Sequence, residues 1–201
     1  MHIGVVSDTH IPDRVRDLPA ELRTLFSGAD MILHAGDICE PAVLDQLRTL
    51  APLVAVRGNR DDRALPFLLE KTVIQAGAWR IGLIHGTCSR LAELSDRLRY
   101  VTGDHSFSDQ RSHLLHVFAD EAVHCIVFGH THQACNDVRD GVLLFNPGGV
   151  ARSPGGGPSS VGILDIDDSG IRGRVIALSR PPRSYSLAEQ AWRALTGLHV
   201  S

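Results

Sequence analysis

The chain has 201 residues, of which 43% are hydrophobic and 21% charged, and its formal net charge is -3. This composition is typical of a globular protein and excludes a disordered, collagen-like or coiled-coil chain, and the length predicts one domain. The net charge is negative and the arginines, 19 of the 20 basic residues, are scattered. Both features argue against a surface that wraps nucleic acid.

The sequence predicts a cytoplasmic protein with no membrane segment. No apolar run approaches the roughly 20 residues that span a bilayer, and the first apolar run follows Met1 without a basic leader segment. The four cysteines are far apart and form no Cys-x-x-Cys pair, which excludes a zinc knuckle and a small disulfide scaffold. We expect these four residues to be reduced and packed: Cys39, Cys88, Cys125 and Cys135.

Apolar runs typical of buried strands alternate with helical segments in the first part of the chain. The predicted strands are Ile3–Ser7, Met31–His34 and Leu53–Val56. The predicted helices are near Leu18–Phe26 and Pro41–Leu50. Strands that alternate with helices predict right-handed βαβ units and a largely parallel sheet.

Hairpins and helices are predicted for the rest of the chain. Thr72–Gln75 and Trp79–Ile84 should form a hairpin, because the turn between them is short and contains glycine. Residues 88–121 are mostly helical by pattern. Further strands are predicted at Cys125–Phe128, Val142–Phe145, Val161–Ile166 and Ile171–Leu178. The sequence therefore predicts one domain over residues 1–180 and a tail at 181–201 with a short helix.

Five of the apolar runs end in residue types that bind metals. These endings are Asp8-Thr9-His10, Gly36-Asp37, Gly58-Asn59, His85-Gly86 and Gly129-His130-Thr131-His132. In open α/β sheets, ligands bind beyond the carboxyl ends of the strands, so these side chains should converge on one side. The spacing from Asp8 to Asp37 matches one βαβ unit, which predicts neighbouring strands.

In this order of blocks the chain resembles the calcineurin-like metallophosphoesterases, whose blocks run D-x-H, G-D, G-N, H-G and G-H-x-H. The resemblance spans residues 3 to about 150. In addition, Asn146-Pro147-Gly148-Gly149 is similar to the Asn-Pro-Gly-Ser segment of the small bacterial and archaeal phosphodiesterase-like branch. The resemblance implies an α/β fold in which a two-sheet β-sandwich is flanked by helices, a four-layer αββα arrangement.

The resemblance also implies a site for two divalent metal ions. By position, one ion would be held by Asp8, His10, Asp37 and His132. The other would be held by Asp37, Asn59, His85 and His130, so that Asp37 bridges the pair. Such mixed ligands suit Mn²⁺, Fe, Zn²⁺ or Ni²⁺, and of these we expect Mn²⁺. Two such ions activate a bridging hydroxide for phosphoryl displacement and attract an anion even to an acidic protein.

The chain departs from the family pattern after the Gly-Asn block. Many members have a histidine there, as proton donor to the leaving group, followed by an acidic residue; this chain has Arg60 and Asp61. Arginine stays protonated, so Arg60 cannot donate that proton, but it can clamp a phosphate through two N–H bonds. We therefore expect a preference for good leaving groups. The alternative is a surface arginine paired with Asp61 or Asp62.

The predicted catalytic residues are Asn59, Arg60, Asp61 and His85, and the predicted substrate contacts are Arg60 and Asn59. Together with the two ions, Arg60 and either His85 or His130 are expected to stabilise the charge that develops on the phosphoryl group.

Three further features have two interpretations each. The segment at 88–121 is predicted to be a helical insertion or a cap over the metals. The alternative is that its histidines are solvated on helix surfaces; they are His105, His113 and His116. The Gly148–Ser160 loop offers backbone amides to a phosphate, or is a flexible connection. Cys39 lies near the metals, or is a small packed thiol. His34 is expected to be a structural residue that faces into the sheet.

The first function hypothesis is a dinuclear metal-dependent phosphoesterase, a phosphodiesterase rather than a phosphomonoesterase. The alternative is a protein-binding scaffold with the same fold, but all seven ligand positions are filled, which argues against a degraded site. A mononuclear zinc hydrolase would leave several ligands without a role. The expected partner is a small phosphoester substrate, and the sequence leaves open whether it is a nucleotide or a nucleic-acid end. It also leaves open whether the tail forms a homo-oligomer.

Overall fold

The computed structural model describes residues 1–89, 107–152 and 157–179, together with positions 91, 94, 95 and 98. In this part of the chain, ten strands form two five-stranded sheets. The sheets pack against each other, and helices cover their outer faces.

The first sheet contains the three parallel strands predicted near the start of the chain. They are β1 (His2–Val6), β2 (Met31–His34) and β3 (Leu53–Ala55), and they lie side by side in this order. Helices α1 (Leu22–Leu25) and α2 (Pro41–Arg48) connect them. Two antiparallel strands, β9 (Ser160–Asp167) and β10 (Gly170–Ala177), extend the sheet beyond β1.

The second sheet begins with the predicted hairpin. It contains β4 (Lys71–Ala76), β5 (Trp79–Ile84), β6 (Cys125–Val127), β7 (Cys135–Arg139) and β8 (Val142–Asn146). Their spatial order is β4-β5-β6-β8-β7. The three inner strands are parallel, and the edge strands β4 and β7 are antiparallel to their neighbours. Helix α3 (Ser108–Val117) contributes to the apolar cluster behind this sheet.

Side chains that alternate along β1 fill two different layers. Ile3 and Val5 point between the sheets, where they belong to the same cluster as Leu83 of the second sheet. Val6 points to the other face and packs in the cluster that contains Phe26 at the end of α1. A third cluster fills the space between the second sheet and α3. The layers are therefore helix, sheet, sheet and helix, which confirms the expected αββα sandwich.

Two elements differ from the sequence prediction. Helix α1 covers one turn instead of Leu18–Phe26: Pro19 disfavours a helical conformation at Leu18, and the N–H of Leu22 closes a tighter turn on the carbonyl of Pro19 at 3.0 Å. Strand β7 was not predicted, because its sequence Cys-Asn-Asp-Val-Arg is polar. As an edge strand it leaves three of its five side chains exposed, so it carries little apolar pattern.

Parts of the predicted cap and tail lie outside the described residues. Within 88–121, positions 91, 94, 95 and 98 are helical and α3 follows, which agrees with the predicted helical content. Residues 99–106 and the tail at 181–201 are not described, so the cap and the tail helix stay predictions.

No helix in the described ranges is both long enough and apolar enough to cross a bilayer. None of the four cysteines is in a disulfide; Cys125 and Cys135 are buried, and Cys39 and Cys88 are half-buried.

Candidate metal centre

The seven predicted metal ligands lie in loops that follow strands. They are Asp8, His10, Asp37, Asn59, His85, His130 and His132. Two of them follow β1, one each follows β2, β3 and β5, and two follow β6. These strands are parallel neighbours within each sheet. Their carboxyl ends therefore meet at one end of the sandwich, as expected from the sequence.

The first group of side chains contains Asp8, His10 and His132. Oδ1 of Asp8 lies 3.4 Å from Nε2 of His132 and 3.8 Å from Nε2 of His10. The two Nε2 atoms are 3.2 Å apart. All three side chains are buried. One oxygen and two nitrogens are thus close enough for a single metal ion to contact them all.

The second group surrounds His85. Nε2 of His85 lies 3.4 Å from Oδ1 of Asp37 and 3.1 Å from Oδ1 of Asn59. Nδ1 of His130 is 3.3 Å from the same nitrogen. Asn59 is exposed and His130 is half-buried, so this group is more open to solvent than the first.

The carboxylate of Asp37 connects the two groups. Its Oδ2 lies 3.5 Å from Nε2 of His10, whereas its Oδ1 lies 3.4 Å from Nε2 of His85. The two oxygens of one carboxylate therefore face different groups, which is the arrangement expected of a shared ligand. Asp8 also lies within reach of both groups.

Five of the seven residues have a left-handed backbone conformation. Their φ angles are 52° at Asp8, 47° at His10, 56° at Asp37, 73° at His130 and 56° at His132. Non-glycine residues rarely adopt this conformation, and where they do, functional sites are overrepresented. Backbone hydrogen bonds hold two of these turns: the N–H groups of Asp8 and His10 donate to the loop after β2, at 3.0 Å each.

Two glycines of the sequence motifs are required by close packing against the carboxylates. A Cβ atom on Gly58 would overlap Oδ1 of Asp37. A Cβ atom on Gly129 would overlap Oγ of Ser7 and lie 2.7 Å from Oδ2 of Asp8. The glycines of the Gly-Asn and Gly-His blocks therefore leave room for the two acids.

Backbone carbonyls orient two of the imidazole rings. Nδ1–H of His85 donates to the carbonyl of Ala35, and Nδ1–H of His132 donates to the carbonyl of Ala151, both at 2.7 Å. With the proton on Nδ1, each Nε2 presents its lone pair to the centre, as metal-binding histidines do.

A thiol occupies the corresponding position behind His10. Sγ of Cys39 lies 3.7 Å from Nδ1 of His10. Burial raises the pKa of this thiol, so it is neutral. Cys39 is therefore a neutral, half-buried thiol that lies beside a predicted metal ligand.

Asp8 and Asp37 bring two carboxylates into a buried site. Oδ2 of Asp8 accepts hydrogen bonds from Oγ of Ser7 at 2.5 Å and from the backbone N–H of His130 at 3.1 Å. Oδ1 of Asp8 is buried and accepts none. Within the described residues, neither acid forms an ion pair with lysine or arginine. A buried carboxylate oxygen without a partner is costly, and a metal ion would supply that partner.

The charges of this site shift the pKa values of its members. Burial, the largest effect, raises the pKa of Asp8, but the histidines around it outweigh burial and lower it below 3.8. Burial lowers the pKa of His10 to about 4. Burial acts in the same direction on His85, but its hydrogen bond to Asp37 and the two carboxylates raise its pKa to about 9. A metal ion would compete with that proton. The donor set therefore fits divalent ions.

Comparisons with known proteins agree with this geometry. Residues 1–169 match the family model described as the calcineurin-like phosphoesterase superfamily domain. The chain belongs to the calcineurin-like phosphoesterase superfamily. It is 33% identical over 181 residues to a "probable metallophosphoesterase" of Methanothermobacter thermautotrophicus, covering 90% of this chain and 95% of that protein. It is 38% identical to a "probable metallophosphoesterase" of Methanocaldococcus jannaschii over 77% of this chain and 71% of that protein.

Solved structures show the same fold. The chain is similar to Vps29 of Entamoeba histolytica complexed with zinc, with a TM-score of 0.65 and 29% identity over 85% of this chain and 89% of that one. It is also similar to a Thermotoga maritima protein solved by NMR, with a TM-score of 0.61 and 27% identity over 88% of this chain and 99% of that one.

Arg60, where this superfamily member departs from the common pattern, lies at the edge of the centre. Its backbone N–H donates to Oδ1 of Asp37 at 2.9 Å. Its guanidinium is half-exposed, with Nη2 3.7 Å from Oδ2 of Asp13. The guanidinium therefore lies at the surface beside an acid, as the alternative expected, but that acid is Asp13; Asp62 lies 3.8 Å from Arg57 instead.

Asp61 has a different position from the one its predicted catalytic role requires. Its carboxylate is fully buried and accepts backbone hydrogen bonds from Gly58 at 2.7 Å and from Ile38 and Cys39 at 2.8 Å each. Both oxygens are therefore occupied within the fold and cannot contact a substrate. Asp61 is a positioning residue that ties the loop after β3 to the loop after β2.

Asn146 is a second positioning residue. The sequence identifies it only as part of the Asn-Pro-Gly segment and does not predict this role. Its Nδ2 donates to the carbonyl of Gly129 at 3.0 Å, and its Oδ1 accepts from the N–H of Gly148 at 2.9 Å. The next residues pair with the first loop, where the N–H of Ala151 donates to the carbonyl of Asp8 at 2.9 Å. The described start of the Gly148–Ser160 loop thus supports the centre, whereas residues 153–156 lie outside the described residues.

The histidines of the predicted cap are not part of the described centre. His113 is half-buried and His116 exposed on α3, and neither forms a hydrogen bond or ion pair with the seven predicted ligands. His105 lies outside the described residues. Helix α3 instead approaches the centre through Gln110, whose Nε2 donates to the carbonyl of Gly86 at 2.9 Å.

His34 connects the loops after β1 and β2 beneath the centre. It is fully buried. Its Nδ1 accepts a hydrogen bond from the N–H of Gly36 at 3.2 Å, and its Nε2 lies 3.2 Å from Oγ1 of Thr9. A neutral ring with its proton on Nε2 satisfies both contacts, and burial lowers the pKa of His34 to about 3. His34 is therefore a structural residue, as its position in the sequence indicated.

The protein should lose stability through His34 as the pH falls below 6.5. The unfolded chain binds a proton at His34 near pH 6.5 and the folded chain only near pH 3, where the pKa is depressed. The stabilising contribution is thus complete above pH 6.5 and decreases towards pH 3. Between pH 7 and 5, the unfolding free energy of the wild type should fall by about 2 kcal/mol more than that of His34→Gln.

Urea unfolding at a series of pH values measures this difference. His116→Gln, at an exposed position of α3, is the matched control and should follow the wild type. Parallel pH profiles for the wild type and His34→Gln would contradict the assignment of a buried neutral imidazole.

Proposed function

We propose that this protein is a dinuclear metal-dependent phosphodiesterase. The observation that carries the proposal is the carboxylate pair: Oδ1 of Asp8 is buried without a hydrogen-bond donor, and the two oxygens of Asp37 face different histidine groups. This is the ligand arrangement that two ions sharing one carboxylate require. Membership in the metallophosphoesterase family supports the phosphoester as substrate.

The two ions would be held by the sets that the sequence indicates. Asp8, His10, Asp37 and His132 would hold one ion; Asp37, Asn59, His85 and His130 would hold the other. We propose Mn²⁺, since imidazole, carboxylate and amide oxygen together suit it, while Fe, Zn²⁺ and Ni²⁺ bind the same donors. When bound, two such ions provide a nucleophile from water at neutral pH and positive charge for the transferring phosphoryl group.

The side chains at the solvent side of the centre would bind and orient the substrate. Asn59 and Arg60 are both exposed, whereas Asp8 and Asp37 lie behind them. Two divalent ions and two carboxylates leave a net charge of about +2, which attracts a phosphate anion although the protein is acidic. The guanidinium of Arg60 would add a bidentate contact to a phosphoryl oxygen.

The scaffold alternative predicts that the fold persists without metal binding. Vps29 structures resemble this chain in fold. The four histidines and the two acids are nevertheless all present, and backbone carbonyls orient two of the rings towards the centre. An enzyme accounts for this orientation, whereas a scaffold would leave it without a role.

A small phosphoester, with nucleotides as one source, is the substrate that we propose, and the cytoplasm is the proposed location. The absence of a disulfide among the four cysteines fits a reducing compartment.

Hydrolysis of bis-p-nitrophenyl phosphate should depend on metal and on Asp37. We expect turnover with added Mn²⁺, its loss on chelation, and its recovery when Mn²⁺ is restored. Asp37→Asn should lower kcat by more than about 100-fold, because even residues behind metal ligands change activity by about 10-fold to 100-fold. The control is Asp45→Asn, which removes an exposed acid paired with Arg48 on α2.

Turnover that survives chelation, or an undiminished Asp37→Asn variant, would contradict the proposed enzyme. A folded protein that binds no metal would favour the scaffold.

The rate should depend strongly on the leaving group because position 60 carries an arginine, which stays protonated and cannot donate the proton that a histidine donates in many members. Across a series of aryl phosphodiesters, kcat/KM should fall steeply as the pKa of the leaving phenol rises. Arg60→Ala should lower kcat/KM for every member by about 10-fold to 100-fold, the usual effect of a charged hydrogen bond. The control is Arg63→Ala, at an exposed position nearby.

An Arg60→Ala variant with unchanged kinetics would exclude the phosphate clamp. A flat dependence on the leaving group would show that another group donates the proton.

A further inference from the structure

Arg14 is a half-buried arginine beside the first group of predicted ligands. Its backbone N–H donates to the carbonyl of His10 at 2.8 Å, so it stands one turn after this ligand. The next residue, Val15, is fully buried in the apolar cluster to which α1 and α2 contribute. The position of Arg14 is therefore fixed on one side by the centre and on the other by the core.

Among the residues that the structure describes, the guanidinium of Arg14 has no counterion. It forms no hydrogen bond or ion pair with any residue that the structure describes. The neighbouring arginines differ: Arg57 pairs with Glu70 at 2.5 Å, and Arg60 lies 3.7 Å from Asp13. A guanidinium offers five N–H donors in a planar fork that fits a phosphate, and a half-buried one without an acid is suited to an anionic ligand.

The charge of Arg14 acts on the metal side of the centre. Burial is the main reason why the pKa of His10 falls to about 4, and the positive charge of Arg14 lowers it further. The side chain of Asp13 meanwhile reaches Arg60. Arg14 thus lies close enough to His10 for its charge to act on this predicted ligand, and the residue before it, Asp13, lies 3.7 Å from the guanidinium of Arg60.

We propose that Arg14 binds a second anionic group of the substrate, next to the phosphoester that is hydrolysed. The substrate class is then a phosphodiester that carries a further phosphate, such as a nucleotide with phosphates on two positions of the sugar. This inference rests on the proposed function, because the second group is defined relative to the phosphoester at the metal centre. Arg60 contacts the first phosphate and Arg14 the second.

Calorimetric titration of the Mn²⁺-loaded full chain with two product-like probes tests the proposal. The probes are thymidine 5′-monophosphate and thymidine 3′,5′-bisphosphate, which differ by one phosphate. The wild type should bind the bisphosphate about tenfold more tightly, the effect of one charged hydrogen-bonded contact. Arg14→Gln should reduce this preference to less than about twofold, and Arg14→Lys, which keeps the charge but not the fork, should retain part of it.

Arg23→Gln, at an exposed position of α1, is the matched control and should keep the full preference. Circular dichroism and the thermal midpoint check the fold of each variant. Equal binding of the two probes by the wild type, or an unchanged preference in both Arg14 variants, would overturn the proposal. If an oligothymidylate binds more tightly than the bisphosphate, the second phosphate belongs to a nucleic-acid strand, and the proposal of a free nucleotide as substrate is overturned.

Hydrolysis of bis-p-nitrophenyl phosphate by the same samples separates this inference from the proposed function. Hydrolysis without a preference for the bisphosphate would contradict the role of Arg14 and leave the phosphodiesterase intact. A preference that depends on Arg14 in a protein without hydrolytic activity would support the anion site and contradict the enzyme.

Discussion

Two carboxylates at the ends of neighbouring parallel strands determine how this site is built. Asp8 follows β1 and Asp37 follows β2, and both are buried where no arginine or lysine of the described residues pairs with them. Like charges in a buried position repel each other and lose hydration. The histidines compensate only in part, chiefly through the raised pKa of His85. Cations held between the two acids are the simplest balance for this charge.

The surrounding fold keeps the two acids in place by hydrogen bonds that involve the backbone. Asp61 holds the loop that carries Asp37, and Asn146 holds the loop that carries His130 and His132. The carbonyls of the loops after β2 and β8 fix the rings of His85 and His132. A change at Asp61 or Asn146 would therefore disturb metal binding although neither side chain is a predicted ligand.

The sequence is sufficient to predict which residues meet at the candidate centre but not to describe what supports them. Asp8, His10 and Asp37 could be predicted because each follows an apolar run, and parallel strands bring such positions together. Strand β7 could not be predicted, because an edge strand needs no apolar face. The contact between His132 and the carbonyl of Ala151 could not be predicted, because every residue has a backbone carbonyl. The role of Asp61 could not be predicted either, because it depends on which backbone N–H groups lie near its carboxylate in the fold. Arg14 stands out only when the partners of the other arginines are known.

The central claim is that two metal ions share this site, and electron paramagnetic resonance during a titration with Mn²⁺ tests it most directly. If the carboxylate of Asp37 bridges the ions, the protein should bind two Mn²⁺ ions per chain. At full loading, the spectrum of isolated Mn²⁺ should be replaced by that of a magnetically coupled pair. Saturation at one ion, or two ions whose spectra stay those of isolated Mn²⁺, would contradict the dinuclear centre.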